Sequence, residues 1–204
     1  KTPSQVTTDL EELGVEIHFE DAVKHIPISF LNTKKTLVVY TPAIPKDHSE
    51  YNYFVDNKFT VLKRAEILGK ITETTFCFGV AGTHGKTTTS AILGHIMTEV
   101  NATSFLGGIA DNYNSNLILG EDKISVVEAD HLDIYENPEA LTETFIEFSN
   151  KVSDTLIVAK GLPLKGLTYS INEVSDYKAF NLKIDNGTYV FDVKTPASEI
   201  KNIE

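Results

Sequence analysis

The 204-residue chain is poor in cysteine, in basic residues and in long apolar runs. A single cysteine, Cys77, excludes an internal disulfide and, with no signal peptide at the start, predicts a reducing cytoplasmic compartment. The 18 Lys and Arg residues against 29 Asp and Glu residues leave a net charge of −11. This balance argues against a general nucleic-acid binder, which needs a basic surface. Apolar runs such as Leu37–Tyr40 are far shorter than the ~18 residues of a membrane helix, so no membrane span is expected.

Alternating strand and helix signals occupy most of the chain, which predicts an α/β fold. Hydrophobic residues make up 41% and charged residues 23%, as in ordinary globular proteins, and the length allows one or two domains. Ser4, Thr7 or Thr8 is predicted to cap a short first helix that ends at Gly14. Asn186-Gly187 between alternating segments predicts a β-hairpin. Further strands are predicted over residues 15–19, 36–40, 60–62, 75–80, 124–128 and 155–159, and further helices over 49–57, 64–74, 86–99 and 137–152.

The most informative motif is Gly82-Thr83-His84-Gly85-Lys86-Thr87-Thr88, between a predicted strand and a predicted helix. Glycines let backbone N–H groups approach phosphate oxygens, and the helix begins with its positive dipole end beside them. Lys86 adds a charge for the β- and γ-phosphates, and Thr87 offers a hydroxyl to Mg²⁺. The general phosphate-loop pattern has glycine where Val80 stands. The alternative is a glycine-rich turn that binds nothing.

Acidic residues follow the predicted strand that ends at Glu128. Open α/β sheets place ligands at the carboxyl ends of their strands, so Glu128 is a candidate Mg²⁺ ligand, the alternative being a solvated acid. His131 is a candidate second ligand or phosphate contact, the alternative being a structural histidine. Asp130 and Asp133 are interpreted as helix-capping acids.

Three further patterns lead to weaker expectations. Cys77 lies between two phenylalanines and is predicted to be a core thiol. The spacing over residues 86–99 is helical and predicts one apolar face, formed by Ile92, Leu93, Ile96 and Met97. Residues 107–116 are predicted to form a polar loop that could bind a polar ligand. The histidines other than His84 and His131 show no ligand spacing, and surface or capping roles are expected for them.

The sequence from Gly79 to Thr89 resembles the ATP loop of the Mur ligases, the cytoplasmic ATP-dependent amide-forming enzymes of peptidoglycan synthesis. The resemblance covers essentially the whole chain. The Gly-Thr-x-Gly-Lys-Thr loop alone would also admit folylpolyglutamate synthase. The other stretches that carry the resemblance are Tyr40-Thr41-Pro42-Ala43-Ile44-Pro45, Phe105-Leu106-Gly107-Gly108, Val127-Glu128-Ala129-Asp130 and His131-Leu132-Asp133-Ile134-Tyr135.

The resemblance implies a partial N-terminal Rossmann-like domain for the UDP-sugar over residues 1–73. A partial central ATP-binding domain with a β-hairpin extension is implied over residues 74–204. The family's first strand and glycine-rich UDP loop are expected before Lys1, and its C-terminal domain after Glu204. In the family a further stretch separates the two motifs that meet at Asp130 and His131, so a missing segment is expected there. Activity of this chain alone is therefore not expected.

The resemblance also implies roles for particular residues. Lys86 stabilises the transferred phosphate, Thr87 and Glu128 hold one Mg²⁺, and Glu128 with His131 holds a second. Backbone amides of Gly82, Thr83, His84, Gly85, Lys86, Thr87 and Thr88 hold the phosphates of ATP. Asn112 and Tyr113 are expected near the muramoyl group, and Thr41 and Pro42 near the uridine diphosphate.

The His-Leu-Asp-Ile-Tyr stretch favours the family member that joins L-alanine to UDP-N-acetylmuramate through an acyl phosphate. The nearest alternative is the recycling ligase that attaches a preformed tripeptide to the same sugar nucleotide. A non-catalytic nucleotide-binding module and a plain phosphate-loop kinase or NTPase are further alternatives. The sequence does not indicate an oligomeric state.

Overall fold

The computed structural model describes residues 3–129 and 138–204, which form two compact units. The first unit contains residues 3–80 and 85–129, and the second contains Ala81–His84 and residues 138–204. The first unit therefore includes residues on both sides of the domain boundary that is expected between residues 73 and 74. That boundary stays a prediction. No helix in the described part of the chain has the length and apolar character needed to cross a membrane.

The described residues contain the predicted alternation of helices and strands, and the α/β fold class is confirmed. The helices are α1 (Gln5–Glu12), α2 (Ser49–Asp56), α3 (Arg64–Thr72), α4 (Lys86–Ile96) and α5 (Pro138–Lys151), with 3₁₀ turns at Val23–His25, Ile28–Phe30 and Met97–Val100. The strands are β1 (Leu37–Tyr40), β2 (Thr60–Lys63), β3 (Phe76–Val80), β4 (Ala102–Ala110), β5 (Ser115–Ile118), β6 (Glu121–Glu128), β7 (Ile157–Ala159), β8 (Leu167–Ser170), β9 (Tyr177–Asp185), β10 (Thr188–Lys194) and β11 (Glu199–Ile203).

The amino-terminal part of the first unit contains a β–α–β arrangement, in which β1 and β2 pair in parallel. Helix α1 begins at the predicted cap, because the Ser4 hydroxyl accepts the Thr7 N–H and the Thr7 hydroxyl accepts the Ser4 N–H. The chain leaves this helix through Gly14, whose φ of 86° favours glycine. The cap and the helix end were therefore both predictable from local residue types.

The predicted strand over residues 15–19 is wrong, because this segment forms no strand. His18, within this segment, instead contacts helix α2: its Nε2 lies 2.7 Å from Oε1 of Glu50. The continuous apolar run over residues 36–40 is typical of a strand buried on both faces, but β1 is not buried in this way. Within the described residues it pairs with β2 alone, and Leu37 and Val39 are 49% and 47% exposed.

The four-stranded sheet of the first unit has the order β3-β6-β4-β5. Strand β6 lies inside it, parallel to both β3 and β4, and its Val126 is completely buried. The Ala129 N–H donates to the Val80 carbonyl at 2.9 Å, so the carboxyl ends of β3 and β6 lie side by side. This pairing places the end of β3, which precedes the glycine-rich loop, beside the strand that carries Glu128.

Cys77 is exposed, so the prediction of a core thiol is wrong. It lies on β3, which is an edge strand of the sheet. The neighbouring Phe76 is also 54% exposed. Because adjacent strand residues point to opposite faces, each face of β3 carries an exposed side chain at this end.

Helix α4 packs with small residues, contrary to the predicted apolar face. Its buried positions are Lys86, Ser90 and Gly94, whereas Ile92 and Ile96 are each 58% exposed. A Cβ on Gly94 would lie 3.0 Å from Oγ of Ser104 on β4. Large side chains do not fit at such a close helix–strand approach, which explains why the small residues face the sheet.

The second unit contains α5 and a five-stranded sheet of order β11-β10-β9-β8-β7. Strands β7, β8 and β9 are parallel, and β9, β10 and β11 are antiparallel. Asp185 pairs with Thr188 across a two-residue turn. The turn residues Asn186 and Gly187 have φ values of 47° and 84°, as a type I′ turn requires. The predicted hairpin is thus confirmed.

Candidate functional site

The amino-terminal end of α4 is the centre of the candidate site. Gly85 caps this helix with a φ of 74°, and Lys86 is its first residue. The Thr89 N–H donates to the Gly85 carbonyl at 2.9 Å, which closes the first turn. Thr87 and Thr88 are exposed, whereas Lys86 is 8% exposed. The first turn of α4 therefore offers a positive helix end, a lysine and two hydroxyl groups.

The other half of the predicted phosphate loop belongs to the second unit. Gly82 is half-buried, Thr83 and His84 are exposed, and His84 Nδ1 lies 3.1 Å from the Thr83 hydroxyl. That the amides of residues 82–84 join those of Gly85 and its successors in one phosphate cradle stays a prediction.

Glu128 lies at the carboxyl end of β6, where the sequence places a candidate Mg²⁺ ligand. The Thr87 hydroxyl donates to Oε1 of Glu128 at 3.0 Å. The structure thus brings together two of the three predicted metal ligands, which lie 41 residues apart in the chain. His131, the third, lies outside the described residues.

Two further groups contact Glu128 that the sequence analysis did not identify. The Ser90 hydroxyl and the Gly107 N–H each donate to Oε2 at 2.9 Å. Helical periodicity was an available signal for Ser90, because it lies one turn after Lys86 and Thr87 on the same helix. No local signal connects Gly107 with Glu128.

The oxygens of Thr87 and Glu128 suit a magnesium ion. Mg²⁺ binds oxygen ligands at ~2.0–2.1 Å in an octahedron, so neighbouring ligand oxygens lie about 2.9 Å apart. The separation of Thr87 Oγ1 and Glu128 Oε1, at 3.0 Å, matches this edge length. Mg²⁺ sites commonly use one or two protein oxygens and fill the other positions with phosphate and water. The donor set is therefore compatible with a nucleotide-bound Mg²⁺.

Residues 107–116 do not form the predicted loop. Gly107 and Gly108 lie within β4, which forms a hairpin with β5 in which Ala110 pairs with Ser115. The antiparallel pairing supplies hydrogen bonds that a loop prediction from glycine and asparagine content did not anticipate. Residues 111–114 form the turn between the two strands, and the pairing of β4 with β5 is irregular between Phe105 and Ala110.

Asn112 and Tyr113 lie in this turn and contact the last turn of α4. The Tyr113 hydroxyl is 2.6 Å from Nδ1 of His95, and Asn112 Nδ2 is 3.5 Å from the same atom. His95 follows Thr87 by eight residues, which corresponds to about 12 Å along the helix axis at ~1.5 Å per residue. The structure therefore places Asn112 and Tyr113 away from the metal-ligand candidates.

Thr41 and Pro42 follow β1 directly, and both are exposed. Among the described residues, no hydrogen bond connects either of them with Thr87 or Glu128. Their expected contact with a uridine diphosphate stays a prediction.

A second group of possible metal ligands lies at the start of α2. Single ligand atoms of Asp21, His48 and Glu50 lie within 4.8 Å of one another. Asp21 already accepts the N–H groups of Ser49 and Glu50. His48 Nδ1 accepts the N–H of Tyr51, so it has the capping role expected for such histidines. The group is thus explained by the structure of the helix end.

The profile of the Mur ligase family, catalytic domain, matches residues 2–75. The curated UDP-N-acetylmuramate–L-alanine ligase of Flavobacterium psychrophilum is 49% identical over 230 aligned positions, which cover 100% of this chain and 51% of that protein. The chain thus spans about half the length of the curated relatives it matches. The alignment exceeds the 204 residues of the chain by 26 positions, so the relative has residues inside the matched range that this chain lacks.

Solved structures share the fold over nearly the whole chain. The UDP-N-acetylmuramate-alanine ligase of Thermotoga maritima superimposes with a TM-score of 0.74 at 20% identity, covering 98% of this chain and 53% of that one. The UDP-N-acetylmuramate:L-alanyl-gamma-D-glutamyl-meso-diaminopimelate ligase of Neisseria meningitides gives 0.70 at 16% identity, covering 98% and 77%. Sequence motifs, fold and full-chain identity to a curated member agree, and the chain belongs to the Mur ligase family.

Proposed function

We propose that this chain is part of an enzyme that uses ATP to join L-alanine to UDP-N-acetylmuramate in cytoplasmic peptidoglycan synthesis. The observation that carries the proposal is the Thr87–Glu128 oxygen pair at the start of α4. It occurs in a chain that is 49% identical over its full length to a curated ligase named for this reaction. Motif geometry supports nucleotide binding, and the identity supports the choice of substrates.

In the proposed reaction a carboxylate oxygen of the sugar nucleotide attacks the γ-phosphorus of ATP and ADP leaves. The amino group of L-alanine then attacks the carbonyl carbon of the acyl phosphate, and the amide forms as inorganic phosphate and a proton are released. Lys86 and the amino-terminal end of α4 supply positive charge for the transferred group. The amides of residues 82–88 hold the phosphates. Such fixed charges favour the transition state because they need no reorganisation during transfer.

Thr87 and Glu128 are the residues that would hold Mg²⁺. When bound, Mg²⁺ neutralises charge on the β- and γ-phosphate oxygens. His131 is proposed as a ligand of a second Mg²⁺ together with Glu128. Asn112 and Tyr113 contact His95 in the last turn of α4, and their expected position near the muramoyl group stays a prediction.

The proposed enzyme requires more than this chain. The 26 additional aligned positions of the Flavobacterium psychrophilum relative are compatible with the segment expected between Asp130 and His131 but do not locate it. The share of that relative which the chain covers, 51%, leaves room for the C-terminal domain. The tests below therefore use the full-length enzyme that contains this sequence.

The decisive test is phosphate release from ATP by the full-length enzyme. We expect release only when UDP-N-acetylmuramate and L-alanine are both present. Lys86→Ala should lower the rate by about 100-fold or more, because it removes a preorganised charge from the transition state. Lys123→Ala serves as the control, since Lys123 is an exposed lysine on β6 that pairs only with Glu121 in the described contacts. Normal turnover by Lys86→Ala would refute the phosphate-loop assignment.

Tripeptide ligation to the same sugar nucleotide is the second candidate function, because neither the phosphate-loop motif nor the fold distinguishes it from ligation of L-alanine. A substrate panel separates the two candidates. Phosphate release that depends on L-alanine supports the first proposal, whereas release that depends on the preformed tripeptide supports the second. ATP binding without release under either condition would indicate a non-catalytic nucleotide-binding module.

A further inference from the structure

The two oxygens of the Glu128 carboxylate have different surroundings. Oε2 accepts two hydrogen bonds, from the Ser90 hydroxyl and from the Gly107 N–H, each at 2.9 Å. Oε1 accepts the hydroxyl of Thr87, at 3.0 Å. Oε2 is therefore held by the buried Ser90 and by the backbone of β4. Oε1 faces Thr87, an exposed side chain at the start of α4.

Ser90 is well placed to hold Oε2. It is completely buried, on the face of α4 that packs against β4. Its hydroxyl lies 2.9 Å from Oε2 and 3.1 Å from the Thr87 carbonyl. A hydroxyl has one proton, and an ionised carboxylate is the stronger of the two acceptors. Ser90 therefore donates preferentially to Glu128.

Gly107 fixes the same oxygen from the opposite element. A Cβ at this position would overlap all three atoms of the Glu128 carboxylate group. The absence of a side chain lets the carboxylate approach the backbone N–H of β4 closely. Helix α4 and strand β4 thus hold Oε2 together.

We propose that Ser90 is a positioning residue that, with the Gly107 amide, holds Oε2 of Glu128 so that Oε1 alone is presented with Thr87 to a divalent cation. A cation would replace the hydrogen of the Thr87–Glu128 bond while both bonds to Oε2 persist. The proposal rests on the proposed function only in requiring that the site binds a metal–nucleotide complex.

The test measures Mn²⁺ binding to the full-length enzyme with ADP bound, by the electron paramagnetic resonance signal of free Mn²⁺. Ser90→Ala should weaken Mn²⁺ binding by about 10- to 100-fold, the usual loss when a residue behind a metal ligand is removed. ADP binding without metal should remain close to wild type, because the described contact of the Ser90 hydroxyl with the loop is to the Thr87 carbonyl and not to a predicted phosphate-binding N–H group. Removal of a residue with only a structural role would not weaken Mn²⁺ binding while leaving metal-free ADP binding unchanged.

Ser104→Ala is the matched control. Ser104 is also completely buried and lies on β4 beside α4, but no described hydrogen bond connects it with Glu128. A second pair, Ser90→Thr and Ser90→Val, compares two side chains of nearly equal size that differ in the hydroxyl. This pair keeps the test valid if the alanine variant does not fold.

The proposal predicts that Ser90→Thr binds Mn²⁺ much more tightly than Ser90→Val and that Ser104→Ala behaves as wild type. Equal Mn²⁺ affinities of wild type and Ser90→Ala, or of the threonine and valine variants, would overturn it. These outcomes leave the proposed function intact. Failure of the wild-type enzyme to bind ADP at all would instead contradict the phosphate-loop assignment and hence the proposed function.

Discussion

Asp21 and Glu128 are both carboxylates that accept three hydrogen bonds from the chain, yet they are used differently. Asp21 accepts the Ser49 N–H on Oδ2, and the Ser49 hydroxyl and Glu50 N–H on Oδ1. Glu128 accepts two bonds on Oε2 and one side-chain hydroxyl on Oε1. Both oxygens of Asp21 accept hydrogen bonds from the start of a helix, whereas Oε1 of Glu128 accepts, from the described residues, the Thr87 hydroxyl alone.

The difference teaches how a structural carboxylate and a candidate metal ligand can be distinguished without a bound ion. Backbone N–H groups at a helix start are fixed in place, so both oxygens of Asp21 stay hydrogen-bonded to the start of α2. The hydroxyl of Thr87 can rotate, which lets a cation take its proton's place beside Oε1. The three hydrogen bonds and nearby His48 lower the pKa of Asp21 to about 2, the bond from the Ser49 hydroxyl contributing most.

The largest effect is expected for Glu128→Gln, which removes the negative charge and leaves the size of the side chain unchanged. Turnover of the full-length enzyme should fall by at least about 100-fold if Glu128 holds the cation as proposed, because loss of a metal ligand costs more than loss of a residue behind it. Phosphate release measures this effect. Glu121→Gln, at the other end of β6, should remain active. Equal activities of the two variants would show that Glu128 has no special role.

The next largest effect is expected for Gly107→Ala, which would place a methyl group where the carboxylate of Glu128 lies. We expect the free energy of unfolding to fall by about 1–3 kcal/mol, the usual cost of overpacking, together with weaker Mn²⁺ binding. Urea unfolding measures the first effect. Gly69 lies in α3, and a Cβ added there would meet open space. Gly69→Ala should therefore leave stability unchanged or raise it.

A smaller effect is expected for Asp21→Asn, which should lower stability at neutral pH without changing ADP affinity. The pKa of Asp21 is lowered from 3.8 to about 2, so its ionised form is favoured by folding. Its contribution is present above about pH 4 and is lost as the pH falls toward about 2. Urea unfolding from pH 7 to pH 2 should show the difference between wild type and variant shrinking over this range.

Asp56→Asn is the control for Asp21→Asn, because it removes the same charge at the other end of α2. A negative charge is unfavourable near a helix C-terminus, so this change should not destabilise the chain. A difference between wild type and Asp21→Asn that stayed constant down to pH 2 would contradict the role of the Asp21 charge.

The smallest effect is expected for Ser104→Ala. Its buried hydroxyl has no hydrogen-bond partner in the described part of the chain. Removing an unsatisfied polar group should change stability by about 0–1 kcal/mol, in the stabilising direction. Ser125→Ala is a useful contrast, since the equally buried Ser125 hydroxyl lies 2.7 Å from that of Thr75. In thermal unfolding, the melting temperature of the Ser104→Ala variant should be higher than that of the Ser125→Ala variant.

Local residue types predicted several elements correctly. The Ser4 cap, the start of α4 at Lys86 and the Asn186-Gly187 turn each depend on a few consecutive residues. The same reasoning failed for residues 15–19 and for Cys77. Alternation and apolar character do not determine whether a strand finds a partner or whether a sheet face is covered, because both depend on distant parts of the chain.

The sequence by itself determined the strand–loop–helix motif, the family and the candidate pair of Thr87 and Glu128. Tertiary structure alone decided how Glu128 is held, through Ser90 and Gly107, which lie 38 and 21 residues away from it. These contacts follow from the parallel pairing of β6 with β4 and from the close packing of α4 on β4. Strand order and packing distance arise from interactions across the whole unit, so no local pattern of residues specifies them.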